Sequence, residues 1–405
     1  MASKKVLGAA LLTMAIAGCA GEHALVVSAT GDLACAPAEL RSVWWSDGGG
    51  PFYGGTGEIV LNADATHLLL EDIFRSTSIR LSDGMRSDGE RLTVDLTDAA
   101  GIRFAAPRML TDAEGRNDYA GATDVFAIGT PTPLASVPWI VPRDSSGYTQ
   151  VVAHVSQTTD RAYLIERATM FGGTDRGIWL RSIPVSSPAD ETRLDLESAL
   201  ASTAVSFDAP FSILVDEAHD VVFVTVGRQV EVAPSITRIE LASGTVVTET
   251  LTLDPPAPLL GIAHVGAPGT QLLDVALASD GAELYVTTRD GRLRVLDART
   301  LVEARPGASV GVVVANADTY LPSVRSPVAS SVHDELLAML DDSGRVVIDD
   351  AATMRRIATL SSSARPVRDI DLGVDRAPRV MALRFVSDGI VVVTDTGIER
   401  YRCPG

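Results

Sequence analysis

The stretch Leu272-Leu273-Asp274-Val275-Ala276-Leu277-Ala278-Ser279-Asp280-Gly281-Ala282-Glu283-Leu284-Tyr285-Val286-Thr287-Thr288, running on to Arg305, decides the fold. An apolar run, Leu272 to Ala278, meets the turn Ser279-Asp280-Gly281, and a second run, Glu283 to Thr288, meets Asp290-Gly291. Arg292 to Asp297 and Leu301 to Arg305 follow. Runs rich in β-branched and aromatic residues between Gly/Asp turns read as strands. Connections this short join only antiparallel neighbours, so the segment predicts a four-stranded meander.

The first hairpin of that unit recurs along the chain. Ile59 to Leu61 and His67 to Leu70 flank Asp64; Val151 to Val155 and Arg161 to Ile165 flank Thr159; Ile213 to Val215 and Val221 to Val226 flank Ala218. Glu335 to Leu340 follows His333, and Met381 to Val386 with Ile390 to Thr394 flank Asp388. A fainter turn, Asp112 to Gly115, divides the one double-length gap. Asp64 to Asp388 is then 324 residues in six intervals, about 54 each. One such meander has two apolar faces and cannot bury both alone. Several packed radially can, and the expectation is an all-β, seven-bladed propeller of four-stranded antiparallel blades. A pair of β-sandwiches would also show short, evenly spaced strands.

A ring of sheets is usually closed by a sheet built from both chain ends. The last unit supplies three strands, Met381 to Val386, Ile390 to Thr394 and Ile398 to Arg402, so His23 to Ala29 or Arg41 to Ser46 is expected to provide the fourth. Cys35 and Cys403 lie near opposite ends of the chain, and a disulfide between them would fasten that join; two buried free thiols are the alternative. Two regions fit the pattern less well: Gly101 to Pro142, rich in proline, and Ser187 to Ala204, which reads as a short helix or an outer strand with its loop.

Asp274 to Thr288, followed by Val295-Leu296-Asp297-Ala298-Arg299-Thr300, resembles the YVTN-type, WD-like propeller repeat. That repeat runs apolar strand, Pro-Asp-Gly turn, Tyr-Val-Thr-Asn strand and Ile-Asp strand end. This chain departs from it at Ser279 and at Thr288. The resemblance covers about thirty residues well and implies the fold; it leaves activity open, because propellers host enzymes, scaffolds and receptors alike.

The start of the chain is an address. Lys4 and Lys5 precede the apolar run Val6 to Ala17, too short to span a membrane, and Ile16-Ala17-Gly18-Cys19 closes it. This ending resembles the lipobox of bacterial lipoproteins, which implies removal of residues 1–18 and lipidation of Cys19. An ordinary signal peptide with an incidental cysteine is the alternative. Residues 19–34 would be a lipid-anchored segment and 35–405 the propeller. Ala20 is not the Asp that marks inner-membrane retention in enteric lipoproteins, so the resemblance favours the outer membrane within the cell envelope.

Lys4 and Lys5 are the only lysines, so the mature chain has 32 arginines against 52 acidic residues, a net charge of −20. An acidic surface disfavours nucleic acid, and attachment to a membrane would rest on the lipid. Lysine-dependent Schiff-base and P-loop chemistry are excluded. Gly307-Ala308-Ser309-Val310-Gly311 has the Gly-x-Ser-x-Gly form, but strand-like Val312-Val313-Val314 follows where a helix is required, so it reads as an inter-blade loop. Asp369, Asp371, Gly373 and Asp375 lack the downstream Glu of a calcium loop. The six histidines form no His-Glu-x-x-His motif; no metal, cofactor or catalytic residue is assigned. His67, His219 and His333 fall at equivalent turn positions, whereas His154 and His264 sit where an innermost strand faces a central channel. Trp44 and Trp45, beside Gly48 to Gly55, form a candidate stacking platform. Trp44, Trp45, His154 and His264 are therefore the candidate ligand contacts. The expected function is a binding scaffold for protein, peptide or glycan. The competing reading is an exported, lactonase-like propeller hydrolase, which needs convergent carboxylates and histidines in the channel.

Overall fold

The computed structural model describes residues 35–37, 42–43, 58–62, 66–71, 75–82, 86–90, 102–111, 117–127, 130, 132–141, 147–170, 175–200, 211–226, 235–251, 272–288, 290–315, 323–331, 335–360, 367–368, 375–376, 379–394 and 397–403. Seven antiparallel sheets, the blades, follow one another along the chain. Blade 1 is Glu58–Leu61, His67–Glu71, Arg75–Arg80 and Arg86–Glu90. Blade 2 is Arg103–Thr111, Asn117–Ala127 and Ala135–Pro138. Blade 3 is Gly147–Val155, Arg161–Met170, Asp175–Pro184 and Thr192–Asp195. Blade 4 is Phe211–Asp216, Val221–Val226, Ser235–Glu240 and Thr245–Thr250. Blade 5 is the meander on which the prediction rested: Leu272–Leu277, Glu283–Thr288, Arg292–Asp297 and Glu303–Arg305. Blade 6 is Ala329–Ser330, Leu336–Leu340, Val346–Asp350 and Arg356–Thr359. Two small hairpins lie between blades, Val313–Ala315 with Ser323–Arg325 and Val367–Arg368 with Asp375–Arg376.

Blade 7 joins the two ends of the chain. Val380–Val386, Gly389–Thr394 and Gly397–Arg402 form its first three strands. Ala36–Pro37 and Ser42–Val43 pair with the outer edge of the third. The second of these lies inside the expected Arg41 to Ser46; His23 to Ala29 lies outside the described residues. Cys35 and Cys403 form a disulfide-capable pair, their sulfurs 2.17 Å apart and their Cα atoms 4.1 Å apart.

The apolar runs are continuous because each second strand is buried on both faces. In Val221–Val226, Val222 and Val224 pack toward blade 3, while Val221 and Phe223 pack toward blade 5. In Leu336–Leu340, Leu337 and Met339 face blade 5, and Leu336, Ala338 and Leu340 face blade 7. The period-two geometry of a strand sends neighbours to opposite faces, and burial stabilises each such side chain by about 1.5–3 kcal/mol. Ring closure shows in the core itself. Blade 7 shares one apolar cluster with blade 6, through Tyr401 and Leu340, and another with blade 1, through Val391 and Leu68. Seven clusters link seven blades without a break.

An antiparallel meander puts the first and third turns of each blade on one face of the disc. The second turns and the inter-blade connections lie on the other. Blade 2 departs from the sequence reading here. The backbone of Arg103 exchanges hydrogen bonds with the side chain of Gln157, in the first turn of blade 3 (N to Oε1 2.9 Å, Nε2 to O 2.7 Å). Arg103–Thr111 therefore begins on the first-turn face and runs as a second strand. The first turn expected at Asp112 to Gly115 lies outside the described residues. Residues 91–101 lie outside the described residues.

The third turns carry a repeat that the sequence reading saw only once. Glu240, Asp297 and Asp350 end third strands, and each carbonyl accepts from the backbone N–H four residues on, at Gly244, Leu301 and Met354 (2.8 Å each). Those three residues are left-handed, with φ of +68°, +61° and +54°. The acid then holds the turn: Asp297 Oδ1 accepts from Thr300 N and Oγ1 at 2.7 and 2.9 Å, and Asp350 Oδ1 from Thr353 N at 2.7 Å. The ambiguous segment after Asp175–Pro184 contains both expected forms, the outer strand Thr192–Asp195 and a single helical turn, Glu197–Leu200.

Candidate functional site

Polar groups converge where the first turns of blades 3, 4 and 5 meet. Gly147–Val155 is the innermost described strand of blade 3, and His154 stands one residue from its end. Ser156, fully buried, follows. The turn of blade 4 brings Glu217 against both. Glu217 Oε2 accepts from Ser156 Oγ at 2.8 Å, Thr158 Oγ1 at 3.1 Å and Thr159 Oγ1 at 3.4 Å, while His154 Nε2 lies 3.5 Å from Oε1. The bond from His154, helped by Ser156 and Thr158, outweighs desolvation and holds the Glu217 carboxyl at about 2, against an ordinary 4.5. Ser156 Oγ also accepts from Thr159 N at 2.8 Å, which fixes its own turn.

One residue before Glu217, buried Asp216 holds His219, with Nδ1 to Oδ2 at 2.7 Å. The His219 side chain is 58% exposed. Gly281, the turn glycine of the quoted stretch, closes over this pair. A Cβ there would come within 2.9 Å of both Asp216 Oδ2 and the His219 ring, and φ is +70°. Here glycine is required by contact with the preceding blade as well as by its own turn.

The chemistry of this cluster is that of an inter-blade clasp. A serine nucleophile is activated by an imidazole or another base at its hydroxyl. Ser156 and His154 both point at Glu217 instead, and a carboxylate held near 2 is a weak base at neutral pH. Among the described residues, no three His, Cys, Asp or Glu side chains are grouped as metal ligands.

A second polar group lies where blades 2 and 3 meet at the rim. Glu166 is fully buried, and the side chain of Arg181 is 4% exposed. Arg181 Nη1 donates to Glu166 Oε2 at 3.0 Å and to the Pro138 carbonyl at 2.7 Å; Nε donates to Glu191 Oε2 at 2.8 Å. Glu166 Oε1 accepts from the backbone N–H groups of Ile140 and Val141. Desolvation is the largest influence on Glu166 and raises its pKa. The pair thus satisfies the backbone of 138–141 as the chain leaves blade 2. Arg181, Glu191 and Arg193, with Ser136 and Pro138 opposite, line a cleft of about 370 Å³.

Of the candidate contacts, His154 lies in the clasp. Trp44, Trp45, His264 and Cys19 lie outside the described residues, as does His333. His67 is buried beside Thr66, Nδ1 to Oγ1 at 2.9 Å. Ser309, of the Gly-x-Ser-x-Gly match, is exposed and donates to Asp342 Oδ1 at 2.9 Å. Its glycines are demanded by close backbone approach: a Cβ on Gly307 or Gly311 would meet the Leu293 or Asp341 carbonyl oxygen at 1.7 or 2.2 Å. Of the three acids weighed for calcium, only Asp375 is among the described residues. Sequence reading missed Glu217 and Arg181, since nothing in the linear order joins Glu217 to Ser156 or Arg181 to Glu166.

No protein-family profile matches the chain, and no curated protein does. Among solved structures, Sqt1 of Saccharomyces cerevisiae aligns over 86% of this chain and 84% of its own, at 10% identity and a TM-score of 0.47. BamB of Moraxella catarrhalis aligns over 91% and 96%, at 7% identity and a TM-score of 0.43.

Proposed function

We propose that this protein is an exported lipoprotein, cut before Cys19 and held at the cell envelope by lipid, whose propeller is a binding scaffold for protein, peptide or glycan. The outer membrane is the favoured site. The address rests on Ile16-Ala17-Gly18-Cys19 after its short apolar run. The scaffold reading rests on the clasp, whose one buried serine is spent on Glu217 rather than on an imidazole. Globomycin should make the precursor accumulate, and Cys19→Ala should abolish labelling by radioactive palmitate. Normal processing in the drug removes the lipoprotein reading. For the scaffold, photo-crosslinking residues placed on each face of the disc should give a discrete adduct in intact cells. Lactone or ester hydrolysis by the purified chain, abolished in a His219→Ala variant, would favour the hydrolase reading instead.

A further inference from the structure

Among the described residues, the N-terminal segment pairs with the disc through little backbone. Ala36–Pro37 and Ser42–Val43 are two residues each, where the outer strand of blade 4 is Thr245–Thr250, six residues. Pro37 has no N–H to donate. Cys35, the first of the described residues, stands beside Cys403 across a sequence separation of 368. Cys403 is buried in the apolar cluster between blades 6 and 7, with Tyr401, Leu340 and Leu360, and its backbone N–H donates to Asp388 O at 2.9 Å. Cys35 is only half-buried. Along the described chain the sulfur bridge therefore precedes both short strands.

We propose that the N-terminal tether is fastened to the propeller by the Cys35–Cys403 bond independently of the main chain, so that pull on the tether passes into the third strand of blade 7. The disc then stays on its tether even when the chain between Cys35 and blade 1 is cut. Release needs that cut and a dithiol reductant. A thiolate of the dithiol attacks the sulfur of Cys35, the less buried of the two residues, and Cys403 leaves and takes up a proton. The second thiol then closes on the first, freeing the Cys35 thiol. Two electrons and two protons pass from the dithiol, which ends as a cyclic disulfide.

The tether's role as a lipid anchor rests on the lipoprotein reading; the fastening does not. For the test, a recognition sequence for a site-specific protease is inserted after Arg41, and the processed full-length protein is cut there. Without reductant, residues 19–41 should co-elute with the remainder on size exclusion; with dithiothreitol they should be lost from it completely. A Cys35→Ser, Cys403→Ser variant should lose them without reductant. Retention after reduction would show that strand pairing suffices, and loss without reductant would show no bond; either overturns the proposal. If the double variant fails to fold, the parent with and without dithiothreitol still decides. Partition of the uncut protein into detergent-phase lipid separately reports the anchor, and failure there leaves the size-exclusion result intact.

Discussion

Replacing Arg181 with Met should be among the most damaging single changes in this protein. Met keeps the apolar stem and removes the guanidinium. Glu166 then stays fully buried without its charge partner, the Pro138 carbonyl loses a donor at 2.7 Å, and Glu191 loses one at 2.8 Å. Removing one member of a buried pair costs about 3–5 kcal/mol, most of it the penalty on the charge left behind. The urea midpoint at pH 7.5, with slope unchanged, reads this loss directly. If the penalty is the stranded carboxylate, Glu166→Gln combined with Arg181→Met should cost clearly less than the sum of the single changes. The pH dependence has a definite sign. Burial already raises the Glu166 pKa, and losing Arg181 removes an influence that lowers it. The variant's folded state therefore binds a proton at a pH where its unfolded state does not, and its deficit relative to wild type shrinks as pH falls. A loss under about 1 kcal/mol, a deficit flat with pH, or strict additivity in the double variant would refute the argument.

The clasp predicts the opposite slope: Glu217 is depressed to about 2, so its contribution is full above about 4.5 and is lost as pH falls toward 2. In chemical denaturation Glu217→Gln should lose about 2 to 3 kcal/mol at neutral pH and flatten that part of the profile; an unchanged profile would count against the clasp. Asp297→Ala and Asp350→Ala each remove a carboxylate that organises a third turn, and each should lower stability by about 1–2 kcal/mol, while the outward-facing Glu303→Ala should fall within about 0.5 kcal/mol. Phe223→Ala, at the interface of blades 4 and 5, should cost about 3–5 kcal/mol in the same assay. Tryptic mapping without reductant should find one peptide ending at Arg41 joined to Cys403-Pro404-Gly405, since Arg402 precedes the latter; free thiols in both would contradict the closure.

Sequence alone determined the unit and its number, because a strand buried on both faces is apolar at most positions while its turns favour Gly, Asp or Ser. That pattern is written locally in Leu272 to Arg305, and it located strands in six of the seven blades and the ends that close the ring. Where the local signal was weak, in Gly101 to Pro142, it named a turn, Asp112 to Gly115, and no strand. Only the tertiary structure decided which polar groups act together. Glu217 meets Ser156 across 61 residues, and Arg305 reaches the Ala351 carbonyl across 46, because radial packing sets each turn against that of the next blade. Such contacts depend on the angle between sheets, a property of the whole ring that no single repeat encodes.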